Sequence, residues 1–284
     1  MASNETGPVP ARLRRDKMLD LLRERDYVRV TELANRFEVS EVTIRGDLDA
    51  LEARGHLRRV RGGAVPRATS TAERRFEEAE VAAAAQKRAI ARAAAALVED
   101  GDTLILDVGT TTTAVAQALA DREDLLDVTV FTSSLTIAIA LERADPRLSV
   151  VVTGGTLRPK QHSLVEPLAS LVLDTINAGR AFLGCNGFDV ERGVTNINLP
   201  ETEVKRRILR ASQQHIVCAD STKLGQVTLA HVCGLDEVDL LITDDLAHPD
   251  LVTAFRETGL EVLLAPVEDG AEPRSSSRAD TSTS

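Results

Sequence analysis

Hydroxyl and amide groups follow one predicted strand in a pattern that could bind an anion. The apolar run TLILD ends at Asp107. Before the helical segment AVAQAL, the chain continues with Gly109, Thr110, Thr111, Thr112 and Thr113. Backbone amides and hydroxyls at the start of a helix bind anions. This loop is a candidate anion site, although the threonines could instead only end a strand and cap the next helix.

The same loop favours a small phosphate ester over a nucleotide as its ligand. Neither the phosphate-binding pattern G-x-x-x-x-G-K-[ST] nor the dinucleotide pattern G-x-G-x-x-G is present. No cofactor is therefore expected at this position.

A second predicted strand end, HIVCADSTKLG, places Asp220 three residues before Lys223. The lysine could neutralise a phosphate, and the aspartate could accept hydrogen bonds from sugar hydroxyls. Such a pair taken alone is more often an exposed turn. Further small or hydroxyl residues come after the predicted strands VTVF and LSVVVT, namely Thr132, Ser133, Gly154 and Gly155.

Other polar residues of this part of the chain are expected to be structural. Glu201 and Lys205 are four residues apart in the helical segment ETEVKRRIL, which predicts a surface ion pair. None of the five histidines falls in a recognisable catalytic motif, and His162 and His215 are expected to be structural or exposed. The strand ends thus offer binding groups but no obvious acid and base pair, which disfavours catalysis.

The three cysteines, Cys185, Cys218 and Cys233, are scattered and lack a C-x-x-C partner. They predict reduced core residues, and neither a disulfide framework nor a metal site. The first residues lack the apolar region of a signal peptide, and no stretch approaches the length of a membrane span. We therefore expect a cytoplasmic protein without a membrane partner.

The elements that would position these groups are seven short apolar strands, which alternate with amphipathic segments. They are TLILDVG, VTVFTSS, LSVVVTGG, AFLGCNG, HIVCAD, VDLLITD and LEVLLAP, after an Ala-rich helix at about residues 81–98. This alternation predicts an α/β domain with a parallel sheet over residues 81–266. In such sheets ligands bind at the carboxyl ends of the strands.

The first part of the chain predicts a second, smaller domain over residues 12–66. Two helices precede Ser40, which is a good N-cap for a third, and Thr31 could cap the second. In the third helix Ile44, Leu48 and Leu51 fall on one stripe. At about 100° per residue the opposite face presents Val42, Thr43, Arg45, Gly46 and Asp49.

The segment GHLRRVRGGAV follows and resembles a basic β-hairpin wing that carries Arg58, Arg59 and Arg61. A third helix followed by a wing places the helix in the major groove of double-stranded DNA, while arginines bind phosphates. Residues 1–66 hold 13 Lys and Arg against 11 Asp and Glu, whereas the rest of the chain holds 21 Lys and Arg against 33 Asp and Glu. The positive charge is therefore concentrated in the first part of the chain. The alternative is a helical bundle whose outer face meets water or another protein.

Residues 67–80 are predicted to be a linker, and residues 1–11 and 267–284 are predicted to be disordered. The linker is polar and charged with little periodicity, and the C-terminal tail is too poor in apolar residues to offset its ordering entropy.

The segment VTELANRFEVSEVTIRGDLDALEARGHLRRVRGGAV is similar to the winged helix-turn-helix of the DeoR family of bacterial repressors of sugar metabolism. The resemblance continues through DVGTTTTAVAQAL, VVTGGTLRP, AFLGCNGFDVERGVTN and CADSTK. It implies a C-terminal fold like that of ribose-5-phosphate isomerase and glucosamine-6-phosphate deaminase. It also implies effector contacts at Asp107, Gly109, Thr110, Thr111, Asp220 and Lys223.

Two positions depart from the family pattern. Gly46 stands where the family usually has a second arginine, which removes one DNA contact and costs about 1 kcal/mol of helix stability relative to alanine. Glu166 stands where the family usually has glycine. An acidic side chain near an anion site would repel phosphate, so this departure bears on the response to an effector.

These observations predict a sequence-specific DNA-binding repressor of carbohydrate-metabolism genes that a phosphorylated sugar releases. Because one helix reads too few bases, a homodimer or homotetramer is expected to present two third helices to successive half-sites. The alternatives are a sugar-phosphate isomerase or deaminase with a DNA-binding module, and a transcriptional activator.

Overall fold

The computed structural model describes residues 9–25, 27–66, 73–144 and 146–268. A small N-terminal domain of helices and an antiparallel sheet precedes an α/β domain built on a seven-stranded parallel sheet. The predicted fold class is confirmed. The predicted disorder of residues 1–11 and 267–284 concerns residues that mostly lie outside the described part of the chain, and the first helix already begins at Ala11.

The N-terminal domain packs three helices on a small antiparallel sheet with strand order β1-β3-β2. Its elements are α1 (Ala11–Glu24), β1 (Val28–Arg29), α2 (Val30–Phe37), α3 (Glu41–Ala53), β2 (Leu57–Val60) and β3 (Gly63–Pro66). One apolar cluster that includes Met18, Leu33 and Phe37 forms the core. The prediction that Thr31 caps α2 is wrong, because the helix already begins at Val30 and Arg29 occupies the N-cap position.

The third helix forms as the sequence predicts. The Ser40 hydroxyl accepts a hydrogen bond from the Thr43 amide at 3.1 Å, and Ile44, Leu48 and Leu51 are buried. Asp47 is buried as well, and its carboxylate binds arginines of α1, Arg14 at 2.6 Å and Arg15 at 2.7 Å. These ion pairs fix α3 against α1 at the side opposite its exposed face.

The α/β domain contains all seven predicted strands in one parallel sheet, in the order β15-β14-β12-β9-β4-β5-β6. The strands of this sheet are β4 (Thr103–Leu106), β5 (Val128–Thr132), β6 (Leu148–Val152), β9 (Ala178–Leu183), β12 (Ser212–Cys218), β14 (Leu240–Asp244) and β15 (Glu261–Ala265). The helices are α4 (Phe76–Val81), α5 (Ala84–Ala95), α6 (Thr110–Ala120), α7 (Leu135–Glu142), α8 (Leu168–Leu173), α9 (Leu199–Arg210) and α10 (Pro249–Arg256).

Two small antiparallel units were not predicted. One is the hairpin of β7 (Thr156–Arg158) and β8 (Ser163–Val165), and the other is a three-stranded sheet. The strands of this sheet are β10 (Gly187–Asp189), β11 (Gly193–Asn196) and β13 (Ala230–Cys233).

The second half of the predicted linker packs on the α/β domain. Its first half, residues 67–72, lies outside the described residues. The Phe76 amide donates to the Lys160 carbonyl at 3.0 Å, and the Phe76 ring meets the edge of His162. Glu73 binds Arg158 at 2.7 Å. Helix α4 therefore belongs to the larger domain.

Candidate functional site

A cavity of about 490 Å³ lies at the carboxyl ends of three adjacent strands, β12, β9 and β4. Residues that directly follow each of these strands line it, and side chains of α5 and α9 close it. The cavity is therefore at the sheet edge where ligands of open α/β sheets bind.

Five of the predicted effector residues line this cavity, namely Gly109, Thr110, Thr111, Asp220 and Lys223. Asp107 is fully buried and binds Lys205, a cavity-lining residue. Five others are not among the lining residues, namely Thr112, Thr132, Ser133, Gly154 and Gly155. The Thr112 hydroxyl donates to the Gly109 carbonyl and the Thr132 hydroxyl to the Leu106 carbonyl, so both support the backbone.

The start of α6 presents backbone donors to the cavity. Gly109 occupies the N-cap position with φ of 147°, a conformation that side-chain-bearing residues rarely adopt. The Thr113 amide donates to the Gly109 carbonyl at 2.9 Å and so makes the first intrahelical hydrogen bond. The amides of Thr110, Thr111 and Thr112 precede it, and such amides are available to an anion.

The prediction that Glu201 and Lys205 form a surface ion pair is wrong. Both are buried on the inner face of α9, and each pairs with a distant residue. Lys205 binds the carboxylate of Asp107 and the Gly184 carbonyl, the latter at 2.9 Å. Glu201 binds Arg158, accepts a hydrogen bond from Ser163 at 2.6 Å, and its pKa is raised by burial.

Sequence reasoning missed Lys87, which lines the cavity from the Ala-rich helix α5. It is 6% exposed, and its ammonium donates to the carbonyls of Ala79 and, at 2.7 Å, Ala82. Burial lowers its pKa. The signal in the sequence is a lysine three residues before Ile90 and seven before Ala94, on the stripe that packs inward.

The cations of the cavity differ in their partners. Lys205 pairs with Asp107, whereas Lys87, Lys223 and Arg74 form no ion pair with any described residue. Asp220 is 1% exposed, and its Oδ1 accepts hydrogen bonds from Thr222. Its buried Oδ2 has no hydrogen-bond partner in the described part of the chain. The cavity thus combines three cations that form no salt bridge within the described residues with a nearby carboxylate, that of Asp220, one oxygen of which is free.

Glu166 does not contribute to the charge of the cavity. It is not among the cavity-lining residues, and its carboxylate binds Arg207 at 3.2 Å and accepts a hydrogen bond from Ser170. Glu166 is therefore not placed to repel an anion in this cavity, and its effect on the response to an effector stays untested.

The cysteines are free thiols, with Cys218 and Cys233 buried and Cys185 half-buried at the cavity. Burial raises the pKa of Cys185 to about 12, so this residue is a neutral thiol rather than a nucleophilic thiolate. No cluster of metal-ligating side chains occurs in the described ranges.

The predicted DNA-reading face of α3 is exposed. Val42 is 74% exposed, and Ser40, Thr43, Arg45 and Gly46 are exposed around it. The Arg45 guanidinium binds Glu41 at 2.5 Å, in a pair whose side chains are 52% and 42% exposed. This face therefore consists of accessible side chains on a rigid, capped helix.

The three wing arginines point in different directions. Arg59 faces α3, where it binds Asp49 and donates to the Arg45 carbonyl at 3.1 Å. Arg58, on the opposite face of β2, binds Asp189 of the α/β domain at 2.5 Å. Arg61 is exposed and binds Glu257. In this arrangement Arg58 contacts the larger domain and does not extend from the wing.

Together these features define a class of protein, a helix-turn-helix transcriptional regulator whose second domain senses a small molecule. Residues 14–69 match the DeoR-like helix-turn-helix domain, and residues 82–245 match the DeoR C terminal sensor domain. The chain belongs to the DeoR family.

Known relatives match over nearly the whole chain. The uncharacterized HTH-type transcriptional regulator YulB of Bacillus subtilis is 37% identical over 254 residues, which are 89% of this chain and 96% of that protein. The putative aga operon transcriptional repressor of Escherichia coli O157:H7 is 32% identical over 265 residues, which are 93% of this chain and 97% of that protein.

Among solved structures, ribose 5-phosphate isomerase A from Neisseria gonorrhoeae is similar with a TM-score of 0.37 and 15% sequence identity, over 50% of this chain and 53% of that chain.

Over the described ranges, none of the helices is both long and apolar enough to span a membrane.

Proposed function

We propose that this protein is a cytoplasmic, sequence-specific repressor of carbohydrate-metabolism genes, and that a phosphorylated sugar in the cavity releases it from DNA. The observation that carries the proposal is the charge balance of the cavity. Arg74, Lys87 and Lys223 line it without a carboxylate partner among the described residues.

A buried ammonium without an anionic partner is costly, and Lys87 is almost fully buried. A phosphate group bound between Lys87 and Lys223 would compensate both charges and accept hydrogen bonds from the first amides of α6. Lys87 and Lys223 are close enough to affect each other electrostatically, as are Lys87 and Asp220.

The free Oδ2 of Asp220 favours a ligand that also donates hydrogen bonds. A carboxylate oxygen accepts from hydroxyl groups and repels a bare anion, so it favours a polyhydroxyl compound over inorganic phosphate. The cavity volume of about 490 Å³ is in the usual range for small-molecule sites. A sugar phosphate meets all of these conditions.

On the DNA side, the exposed face of α3 supports reading of bases in the major groove by Arg45 and its neighbours, and phosphate contacts by Arg59 and Arg61. One such helix reads few base pairs, so a homodimer or homotetramer is proposed to bind paired half-sites. The Escherichia coli relative is named as a putative aga operon transcriptional repressor, which supports repression rather than activation.

One observation favours a second candidate function. Asp107 and Lys205 form a buried ion pair at the cavity wall, which is a possible acid and base pair for sugar-phosphate isomerisation. Against it, Lys205 is also bonded to the Gly184 carbonyl, so the ammonium is engaged in holding two loops together. If the protein isomerises hexose phosphates and Asp107→Asn abolishes this turnover, the protein is an enzyme. That result would refute the proposal that it is a repressor without catalytic activity.

The proposal is tested by calorimetric titration with glucose 6-phosphate, fructose 6-phosphate, the free sugars and inorganic phosphate. We expect at least one sugar phosphate to bind, and the matching free sugar to bind at least about tenfold more weakly because the charge-assisted contacts are absent. Lys87→Met and Lys223→Met should weaken binding by a similar factor. Lys160→Met replaces an exposed lysine outside the cavity and should change nothing.

The same ligands are then added to the protein bound to DNA from upstream of its neighbouring genes. The ligand that binds should release this DNA, and Lys223→Met should remain bound. Equal affinity for free and phosphorylated sugars, or unchanged binding by both lysine variants, would refute the proposed site.

A further inference from the structure

The winged domain is docked on the sensor domain of the same chain through a mixed polar and apolar interface. Tyr27 donates its hydroxyl hydrogen bond to Asp250 at 3.2 Å, and Arg29 binds the same carboxylate at 2.9 Å. Val65 of the wing belongs to the main apolar cluster of the sensor domain, and the partly buried Val60 packs against it. The position of the wing relative to the sensor domain is thus set by specific contacts.

Residues 220–228, which we call the coupling segment, contribute to both the cavity and this interface. Asp220, Thr222, Lys223, Gln226 and Thr228 line the cavity. From the same segment, the Gly225 carbonyl accepts a hydrogen bond from Arg58, and the Gln226 side-chain amide donates to the Pro66 carbonyl at 3.1 Å.

The coupling segment packs directly against the wing at Gly225. A Cβ atom on Gly225 would lie 3.2 Å from Val60 Cγ1 and 3.3 Å from Val65 Cγ1. The Gly225 amide donates to the Phe188 carbonyl at 2.7 Å, beside Asp189. A displacement of Lys223, two residues earlier, would therefore alter the contacts of Gly225 with the wing.

We infer that Arg58 is a positioning residue that couples the cavity to the winged domain, through its bonds to Asp189 and to Gly225 of the coupling segment. The inference rests on the proposed function, since it requires an anion that draws Lys223 into the cavity. It reassigns Arg58 from a predicted DNA contact to an intramolecular one.

The burial of its partners distinguishes Arg58 from the other wing contacts. The Arg58 and Asp189 side chains are 22% and 5% exposed, whereas those of Arg61 and Glu257 are 72% and 47% exposed. Exposed ion pairs contribute little because water and salt screen them, whereas removing one partner of a buried pair leaves a buried charge without compensation. Asp189 is further fixed by the amides of Glu191 and Arg192, each at 3.0 Å.

Coupling of this kind has a thermodynamic signature. A ligand shifts the DNA-binding arrangement only by its difference in affinity for the two arrangements. Loss of the Arg58 contacts should therefore reduce the ratio of operator affinities measured without and with ligand, while each binding site remains functional.

The test compares the full-length wild type, Arg58→Ala, Arg58→Lys and the control Arg61→Ala by operator-binding titration. The ligands added are glucose 6-phosphate, fructose 6-phosphate and inorganic phosphate. We expect the best of them to weaken operator binding by the wild type and by Arg61→Ala about tenfold or more, and by Arg58→Ala less than about threefold. Arg58→Lys can still pair with Asp189 and should give an intermediate ratio.

Hydrogen exchange measured without ligand tests the docking separately. Arg58→Ala should increase amide exchange in residues 57–66 and in residues 220–228 together, and Arg61→Ala should not. A full wild-type affinity ratio in Arg58→Ala, or unchanged exchange in both segments, would overturn the inference. A wild type that binds none of the three phosphates would instead refute the proposed function and, with it, the role of the ligand in this coupling.

Discussion

The reading face of α3 and the cavity of the sensor domain both present cations, but they compensate them differently. On α3, Arg45 is exposed and pairs with Glu41 one turn earlier in the helix. In the cavity, Lys87 is buried and Lys223 half-buried, and neither has a carboxylate partner among the described residues. An anion would therefore replace a carboxylate on α3, whereas in the cavity it would enter an enclosed space beside cations that have no salt bridge.

This difference follows from solvent access. An exposed ion pair contributes little and is screened by salt, so a DNA phosphate or base can replace Glu41 as the partner of Arg45 at small cost. A buried cation interacts more strongly with an anion that enters the same low-dielectric space. We therefore expect substitution of the exposed Arg45 to change binding alone, and substitutions around the cavity to change binding and stability.

The largest expected effect is on stability, from Lys205→Ala. This change leaves Asp107 as a buried charge without its cation, which should lower the free energy of unfolding by about 3–5 kcal/mol. Chemical denaturation of the full chain measures it. Lys160→Ala, at an exposed position of the same domain, should be close to neutral. A loss below about 1 kcal/mol for Lys205→Ala would show that the two regions do not differ in burial as described.

The next effect is on DNA recognition, from Arg45→Ala. If Arg45 reads a base, operator binding should weaken by about 1–3 kcal/mol while binding to random duplex changes little. Stability should not change, because Arg45 is exposed. Arg59→Ala should weaken binding to both DNAs alike. Equal losses on operator and random DNA for Arg45→Ala would contradict base reading, and fluorescence anisotropy at fixed salt measures both.

A smaller effect is expected from Gly46→Ala in α3. A Cβ atom at Gly46 has no neighbour within 4 Å, so the change should stabilise the winged domain by about 1 kcal/mol through helix propensity alone. The matched control is Gly63→Ala, whose Cβ atom would lie 2.2 Å from the Val28 carbonyl oxygen and should destabilise the same domain. Thermal unfolding distinguishes the two. A neutral or destabilising Gly46→Ala would mean that the space around the Gly46 Cβ position is not open.

The smallest effect concerns pH at the docking interface. The His248 ring packs on Tyr27 with ring centroids 4.0 Å apart, and its Nδ1 accepts a hydrogen bond from the Asp250 amide. Its pKa is lowered from the usual 6.5, first by burial and also by Arg29, against opposing contributions from Asp250 and Glu32.

Because folding favours neutral His248, its contribution to stability is present above the ordinary histidine pKa and is lost as the pH falls through the lowered pKa. The wild type should therefore lose more stability between neutral and mildly acidic pH than His248→Asn, whose side chain can still cap α10. Denaturant titrations at several pH values test this. If the two proteins lose the same stability as the pH falls, His248 does not contribute to this pH dependence.

The seven strands of the parallel sheet could be predicted because each is a short apolar run between turn residues, a pattern typical of the strands of parallel sheets. The cap and stripe of α3 could be predicted for a similar reason. Ser40, Ile44 and Leu48 act through contacts within a few residues of the chain, which a sequence shows directly.

The charged contacts could not be predicted, because their partners are distant in the chain. Lys205 follows Glu201 by one helical turn, yet its partner is Asp107. Lys87 resembles an ordinary surface lysine until α5 is placed against the cavity. Arg58 differs from Arg59 only in the face of β2 on which it lies, and only the docked sensor domain gives that face a partner.

The most direct test of the central claim is an operator-release titration with the double variant Lys87→Met/Lys223→Met beside the wild type. Far-ultraviolet circular dichroism and operator affinity without ligand serve as controls for folding and DNA binding. We expect a sugar phosphate to release the wild type, whereas the double variant binds the operator normally and stays bound at every ligand concentration. Release of the double variant at the wild-type concentration would contradict the claim that the uncompensated cations of this cavity sense the ligand.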